Sequence, residues 1–242
     1  MNWLSIGTIG SLLLSSYIGI WNAQEIATVR ELSPDEAKWR VAIIIKIVGD
    51  KVEWICNYGK MLLQDKPMAV IAKHCVFNIN EYDIATKTVD YLVTPNITNL
   101  FQNRWLNVRF IAPYEPPIRG RSDENEKTIL WKQVTINSCI PWSGNAMQCW
   151  EIQGTASASP AVSWQNSLKI SNTDYAKILR SWDRRGWAVT WMSWNIILDS
   201  NGRVFGVLSM ASSYNPRNPY QIISFEALRQ TRLWWKTTYI PE

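Results

Sequence analysis

The sequence is poor in the residues that most often build metal and nucleic-acid sites. Its 242 residues include one histidine, which excludes the usual clustered histidine and carboxylate ligands of a bound metal. The 25 lysines and arginines exceed the 20 acidic residues, but they are scattered and form no basic stripe. Nucleic acid is therefore excluded as a partner, and we expect neither a metal nor any other cofactor.

Charge of either sign is also scarce. Charged residues make up 19% of the chain against 47% hydrophobic residues, a balance that excludes a disordered protein. A chain of this length buries a substantial core, and all-β proteins of this size often fold as one domain. The fifteen tryptophans add bulky side chains, which we expect mainly in that core.

The N-terminal stretch contains a long uncharged run. Residues 3–20 are apolar and are followed by polar residues, a pattern typical of a secretory signal peptide at residues 1–23, although the usual basic start is missing. The alternative is an uncleaved membrane anchor, since the run is marginally long enough to span a bilayer. Either way we expect an exported, secreted chain, with membrane contact only if this segment is retained.

The next segments predict a linker and then strands. Residues 24–38 are mostly polar and predict a turn or linker. Runs rich in β-branched and aromatic residues predict strands at residues 39–45 and 52–56. Asn96 opens an Asn-Ile-Thr sequon in a predicted loop, which makes it a candidate glycosylation site.

A β-hairpin is predicted in the C-terminal half. Apolar runs at residues 196–198 and 204–208 flank Asn201-Gly202, a dipeptide that tolerates the positive φ angles of a tight turn. Ser193 precedes the first of these runs by three residues. The hairpin is apolar on both strands, which predicts that it lies in a buried sheet.

Two segments resemble trypsin-like serine proteases. Residues 71–75 read Ile-Ala-Lys-His-Cys, similar to the Ala-Ala-His-Cys that ends a strand in that family. Residues 191–196 stand where the family has Gly-Asp-Ser-Gly-Gly-Pro and keep only the serine. The resemblance runs from Trp39 to about Tyr239 and implies an all-β fold, a double six-stranded β-barrel followed by a C-terminal α-helix.

The resemblance also implies where the domain, its two barrels and its terminal helix begin and end. The protease-like (peptidase S1) domain would cover residues 39–242, with a first barrel at about 39–137, a second at about 138–223 and a terminal helix over 224–238. Ser224 is a suitable N-cap for that helix, and apolar residues after it approximate one helical face.

The same resemblance indicates how the four cysteines pair. In the family the cysteine after the histidine bridges to an earlier strand, which implies a Cys56–Cys75 disulfide. The family pairs its counterparts of Cys139 and Cys149 with cysteines that this chain lacks. A disulfide between Cys139 and Cys149 is therefore possible. Four cysteines allow three pairings, and an even number in an exported chain favours full pairing.

The resemblance assigns catalytic roles to particular residues. His74 would be the general base and Ser193 the nucleophile. Gapless placement of the family's Asn-Asp motif puts Glu126 where the histidine-orienting acid belongs, with Asp123 as the alternative. The oxyanion hole would use the N–H groups of Ser193 and of Trp191, where the family has glycine.

Other family positions are altered or only partly kept. Trp187 falls at the base of the specificity pocket and would fill it. The segment Ser209, Met210, Ala211 matches the stretch that pairs with the substrate backbone. Met192 replaces the acid that receives the new N-terminus after activation, so the ordinary activation switch is missing.

We therefore expect a secreted, non-catalytic homologue of these proteases that binds an extracellular protein or peptide through its altered cleft. The alternative is an active serine endopeptidase that hydrolyses peptide bonds through Ser193, His74 and Glu126. A third interpretation is a structural surface protein anchored by residues 3–20.

Overall fold

The structure is a computed structural model of the chain. It describes residues 25–40, 42–48, 51–72, 75, 91–102, 109–111, 115, 117–141, 147–160, 163–183, 195–211 and 215–228. The described residues form fourteen β-strands and three α-helices. The strands are β1 (Ile26–Leu32), β2 (Ala42–Val48), β3 (Lys51–Leu63), β4 (Lys66–Ala72), β5 (Tyr91–Thr94), β6 (Arg109–Ile111), β7 (Ile118–Arg119), β8 (Gln133–Pro141), β9 (Met147–Thr155), β10 (Ser157–Ala158), β11 (Asn166–Ser171), β12 (Ile196–Asp199), β13 (Val204–Ala211) and β14 (Tyr220–Ala227). The helices are α1 (Pro34–Arg40), α2 (Ile97–Gln102) and α3 (Asn172–Asp183).

Eight strands form the larger sheet, in the order β1-β9-β8-β12-β13-β14-β11-β10. β1 pairs antiparallel with β9 on one side and parallel with β11 on the other, so seven of these strands close into a barrel. β1 comes close to β9, since a Cβ added to Gly154 would lie 2.7 Å from the Ala27 Cβ. Closure satisfies the strand edges that an open sheet would expose.

The barrel interior holds its own apolar core. Ile136, Ile152, Leu168, Phe205 and Phe225 are fully or almost fully buried there. The Phe205 and Phe225 rings meet edge to face with centroids 6.0 Å apart, a favoured aromatic geometry. These side chains alternate with outward residues along neighbouring strands, as the two-residue period of a β-strand requires.

The smaller sheet has the order β5-β4-β3-β2-β6, and the short strand β7 pairs with β3. Met61, Val70 and Tyr91, from β3, β4 and β5, are fully buried in a cluster that also contains Val204 and Val207 of barrel strand β13. One face of the smaller sheet is therefore packed against the barrel.

The all-β expectation is confirmed in its coarser form, because the described chain is mostly β and contains a closed barrel. The predicted boundary between residues 137 and 138 falls inside β8, a barrel strand. The described part of the predicted linker, residues 25–38, contains β1, which completes the barrel, and most of α1. Ser33 caps this helix, since the Glu36 N–H donates to the Ser33 Oγ at 3.3 Å.

The predicted hairpin is confirmed, with β12 and β13 flanking a turn in which Gly202 has a φ of 70°. The predicted helix start at Ser224 is wrong. Ser224 and the residues up to Ala227 extend β14, where they pair with β11 and β13. Hydrogen bonding to strands on both sides outweighs the local N-cap signal.

The predicted signal peptide or anchor at residues 1–23 lies outside the described residues. So does the remainder of the predicted C-terminal helix, residues 229–238. In the part of the chain that is described, no helix is long and apolar enough to cross a membrane.

Candidate functional site

The segment that carries the histidine is bounded by two fixed points. β4 ends at Ala72, which pairs with Tyr91 of β5. Cys75 is disulfide-bonded to Cys56 of β3, with Cα atoms 6.2 Å apart, which confirms the predicted bridge. His74 lies between these points in the sequence but outside the described residues.

The segment that carries the serine leads directly into the barrel. Ser193 lies outside the described residues, together with Trp187 and Trp191. The description resumes at Asn195, which is buried; its carbonyl accepts the Leu208 N–H at 2.7 Å. β12 starts at the next residue, so the barrel fixes the chain two positions after the serine.

Asp123, the alternative orienting acid, lies at the turn of the β12–β13 hairpin. Its Oδ2 accepts a hydrogen bond from the Arg203 guanidinium at 2.7 Å, and its side chain is 87% exposed. The neighbouring Ser122 hydroxyl donates to the carboxylate of Asp199, the last residue of β12, at 2.7 Å. Asn195 and the serine segment adjoin the opposite end of β12, so Asp123 is held at the far end of that strand.

Glu126 lies beside the start of β11. Its backbone carbonyl accepts a hydrogen bond from the Asn166 Nδ2 at 2.9 Å, and its side chain is half-buried. The pairing of Glu126 or Asp123 with His74 stays a prediction, because the histidine is outside the described residues.

The sequence beside the end of the β4–β5 pair contains a third acid that the sequence analysis did not consider. β4 and β5 run antiparallel, and their last described pair is Ala72 with Tyr91. In the sequence, Asp90 precedes Tyr91, while Lys73 and His74 follow Ala72. The signal was available, since Asp90 stands immediately before an apolar run that forms a buried strand.

The segment predicted to pair with a substrate backbone lies in β13. On one side, Met210 and Ala211 pair with Ser224 and Ile223 of β14. On the other side, the pairing with β12 ends at Val207. Beyond Val207 the described residues give this second edge one more backbone hydrogen bond, from the Leu208 N–H to the Asn195 carbonyl, and no paired strand.

Two further predictions fall on described residues. Cys139 and Cys149 form a disulfide across directly paired positions of β8 and β9, which resolves the pairing that the sequence left open. Asn96 caps α2, since its Oδ1 accepts the Asn99 N–H at 3.0 Å. Glycosylation of Asn96 stays a prediction.

No protein-family model matches the chain, and no curated protein shows significant similarity to it. The likeness to trypsin-like proteases therefore depends on the two motifs, on the Cys56–Cys75 bridge and on a compatible barrel architecture.

Proposed function

We propose that the protein is a secreted, non-catalytic homologue of trypsin-like serine proteases that binds an extended segment of an extracellular protein or peptide. The segment would add as a strand along Ser209, Met210 and Ala211. The observation that carries this proposal is the edge of β13 that extends past its pairing with β12.

A strand edge that no described strand pairs after Val207 favours a peptide ligand. Its backbone N–H and C=O groups supply main-chain hydrogen bonds, while adjacent side chains select alternate residues of the ligand. The opposite edge of the same strand pairs with β14 from Gly206 to Ala211, with a register shift between Leu208 and Met210, so the barrel supports this part of β13. Exposed edges that are not used are normally blocked, since they promote aggregation.

The loss of catalysis is inferred from the residues around Ser193. Trp191 replaces a glycine whose N–H would stabilise the oxyanion, and a side chain there restricts the backbone. Loss of one such donor lowers turnover by about two to three orders of magnitude. Trp187 would fill the specificity pocket, which leaves backbone pairing as the main means of recognition.

The alternative, an active endopeptidase, is favoured by a different observation. The Cys56–Cys75 bridge and the β4–β5 pairing hold the two sides of the His74 segment. Asp90, which precedes the paired Tyr91 in the sequence, joins Glu126 as a candidate acid for orienting the histidine. In this alternative Ser193 attacks the peptide carbonyl while His74 accepts its proton.

Fluorophosphonate labelling of the mature secreted protein separates the two functions. The proposal predicts no adduct on Ser193 in folded protein, with Ser193→Ala as the matched blank. An adduct that disappears in His74→Ala would overturn it and establish the endopeptidase. Asp90→Asn and Glu126→Gln would then identify the orienting acid.

Peptide binding has its own test. Short random peptides displayed on phage would be selected on the folded protein, and the best peptide would be added during hydrogen exchange. We expect slower exchange at residues 209–211 and unchanged exchange at 196–199, the internal control. Protection elsewhere, with none at 209–211, would contradict strand addition.

A further inference from the structure

A buried polar residue, Asn195, stands where the segment that carries Ser193 enters the barrel. It contacts the strand on each side of β12. Towards β13, the Leu208 N–H donates to the backbone carbonyl of Asn195 at 2.7 Å. Towards β8, the Asn195 Nδ2 donates to the Ser138 Oγ at 3.2 Å. The backbone and the side chain of one residue therefore hold the start of β12 from both sides.

The sheet register explains why Asn195 meets Ser138. β12 and β8 run antiparallel, and Ile197 is paired with Ile136. When this register is continued by two residues, Asn195 stands directly opposite Ser138. Side chains of directly opposite residues in an antiparallel pair are close enough to interact. The hydrogen bond is therefore a cross-strand contact that extends the hold of β8 on the chain beyond Ile197.

The partner on β8 is itself firmly held. Ser138 is fully buried and is paired with Trp150 of β9. The next residue, Cys139, is cross-linked to Cys149 of β9. Strand pairing and an adjacent disulfide limit the movement of the Ser138 hydroxyl. Because a buried polar group that loses its partner is destabilising, the bond from Asn195 to this hydroxyl is favoured over alternatives that break it.

The same residue marks the start of the open edge of β13. The pairing of β12 with β13 ends at Ile196 and Val207, and the bond from Leu208 to Asn195 comes after it. Ser209, the first residue of the edge proposed to bind a peptide, follows Leu208 directly. The position of Asn195 therefore sets where β13 separates from the chain that leads back to Ser193.

We propose that Asn195 is the positioning residue of the peptide-binding edge, an inference that rests on the proposed function. Its bond to Ser138 fixes the point at which the chain leaves β13, so that residues 209–211 stay open to a ligand. Both partners belong to the barrel, so the edge forms without activation cleavage. This agrees with Met192, whose uncharged side chain cannot form an ion pair with a new N-terminus.

Hydrogen exchange on the folded protein without peptide tests the positioning role. Asn195→Ala and Ser138→Ala each remove one partner of the bond, and we expect the Leu208 amide to exchange about tenfold faster in both. Ser138→Thr keeps a hydroxyl and should keep the slow exchange. The double alanine variant should match the single ones, because the two residues act through one bond. An unchanged Leu208 rate in both single alanine variants would overturn the proposal.

Ser157→Ala is the matched control for a general loss of stability. Ser157 is buried in β10, three strands from β13 in the sheet, and its hydroxyl lies 3.1 Å from the Ser167 hydroxyl. The variant should lower Tm about as much as Ser138→Ala does, but leave the Leu208 rate unchanged. Equal acceleration in Ser157→Ala would show a global effect and contradict a positioning role for Asn195.

Peptide affinity separates this inference from the proposed function. For a peptide that protects residues 209–211, we expect Kd to rise about tenfold in Asn195→Ala and to stay unchanged in Ser157→Ala. An equal Kd in Asn195→Ala would defeat the positioning role while the proposed function stands. If no peptide protects residues 209–211 of the unaltered protein, the proposed function fails, and the role of Asn195 at that edge fails with it.

Discussion

The two sheets differ in how they cover their apolar faces. The larger one closes on itself through the β1–β11 pairing and buries Phe205 and Phe225 in its own interior. The smaller one places Met61 and Tyr91 in a cluster shared with Val207 of the barrel. The barrel therefore has a core of its own, while this face of its partner depends on contact with the barrel.

Core truncations should have the largest effects on stability and should separate the two sheets. Phe225→Ala removes a fully buried ring from the barrel and is expected to lower the free energy of unfolding by about 3–5 kcal/mol. Met61→Ala is expected to cost about 2–5 kcal/mol at the contact between the sheets. Urea unfolding gives both values, and hydrogen exchange shows where protection is lost.

The exchange pattern is the decisive part of that prediction. Phe225→Ala should lower protection in both sheets, whereas Met61→Ala should lower it in β3, β4 and β5 more than in the barrel. Leu62→Ala, at a 48% exposed neighbour of Met61, is the matched control. Equal loss of protection in both sheets with Met61→Ala would mean that the barrel core is not independent.

The two disulfides test the same difference between the sheets, since each lies in a different sheet. Cys56–Cys75 spans 19 residues and Cys139–Cys149 spans 10, so loss of either is expected to cost about 3 kcal/mol by chain entropy, slightly less for the shorter loop. The Cys56→Ala/Cys75→Ala pair should also lower exchange protection at the end of β4. The Cys139→Ala/Cys149→Ala pair should leave β4 unchanged.

Unfolding in urea under non-reducing conditions, followed by hydrogen exchange on both double variants, measures these effects. The same loss of protection at β4 in the two variants would contradict a local role for the bridge beside the histidine segment.

The smallest expected effect concerns α1, which joins β1 of the barrel to β2 of the smaller sheet. Ser33 and Glu36 form a capping box: the Ser33 N–H donates to Glu36 Oε2 at 3.0 Å, and the Glu36 N–H donates to Ser33 Oγ. Ser33→Ala should lower stability by about 1 kcal/mol. Thermal unfolding at neutral pH measures this loss.

The capping box of Ser33 and Glu36 also predicts that stability depends on pH. Hydrogen bonds from the Ser33 backbone, and then from Arg30, lower the pKa of Glu36 from 4.5 to about 2. Because Glu36 has the lower pKa in the folded state, its contribution to stability is complete above about pH 4.5 and is lost as the pH falls towards 2. Glu36→Gln should flatten the stability profile in that interval, and an unchanged slope would contradict this.

The strand content and the β12–β13 hairpin could be predicted from the sequence because they depend on local patterns. The Asn201-Gly202 turn and the apolar runs beside it form as expected, since positive φ and β-branched residues act within a few positions. The Cys56–Cys75 bridge was available only through the resemblance to a family. Asp90 became a candidate only once Tyr91 was placed in β5, because gapless motif placement did not consider the strand that follows it.

The sequence by its local patterns was thus sufficient to predict a mostly β protein with a particular hairpin and an even number of cysteines. Three features depend on the tertiary structure: residues 26–32 close a barrel, Ser224 extends a strand, and Arg119, Asn57 and Asn137 line one cavity. Local conformational preference and side-chain period act over a few residues. Strand partners and shared cavities join residues far apart in sequence, where packing and hydrogen bonding to neighbouring strands outweigh local propensity.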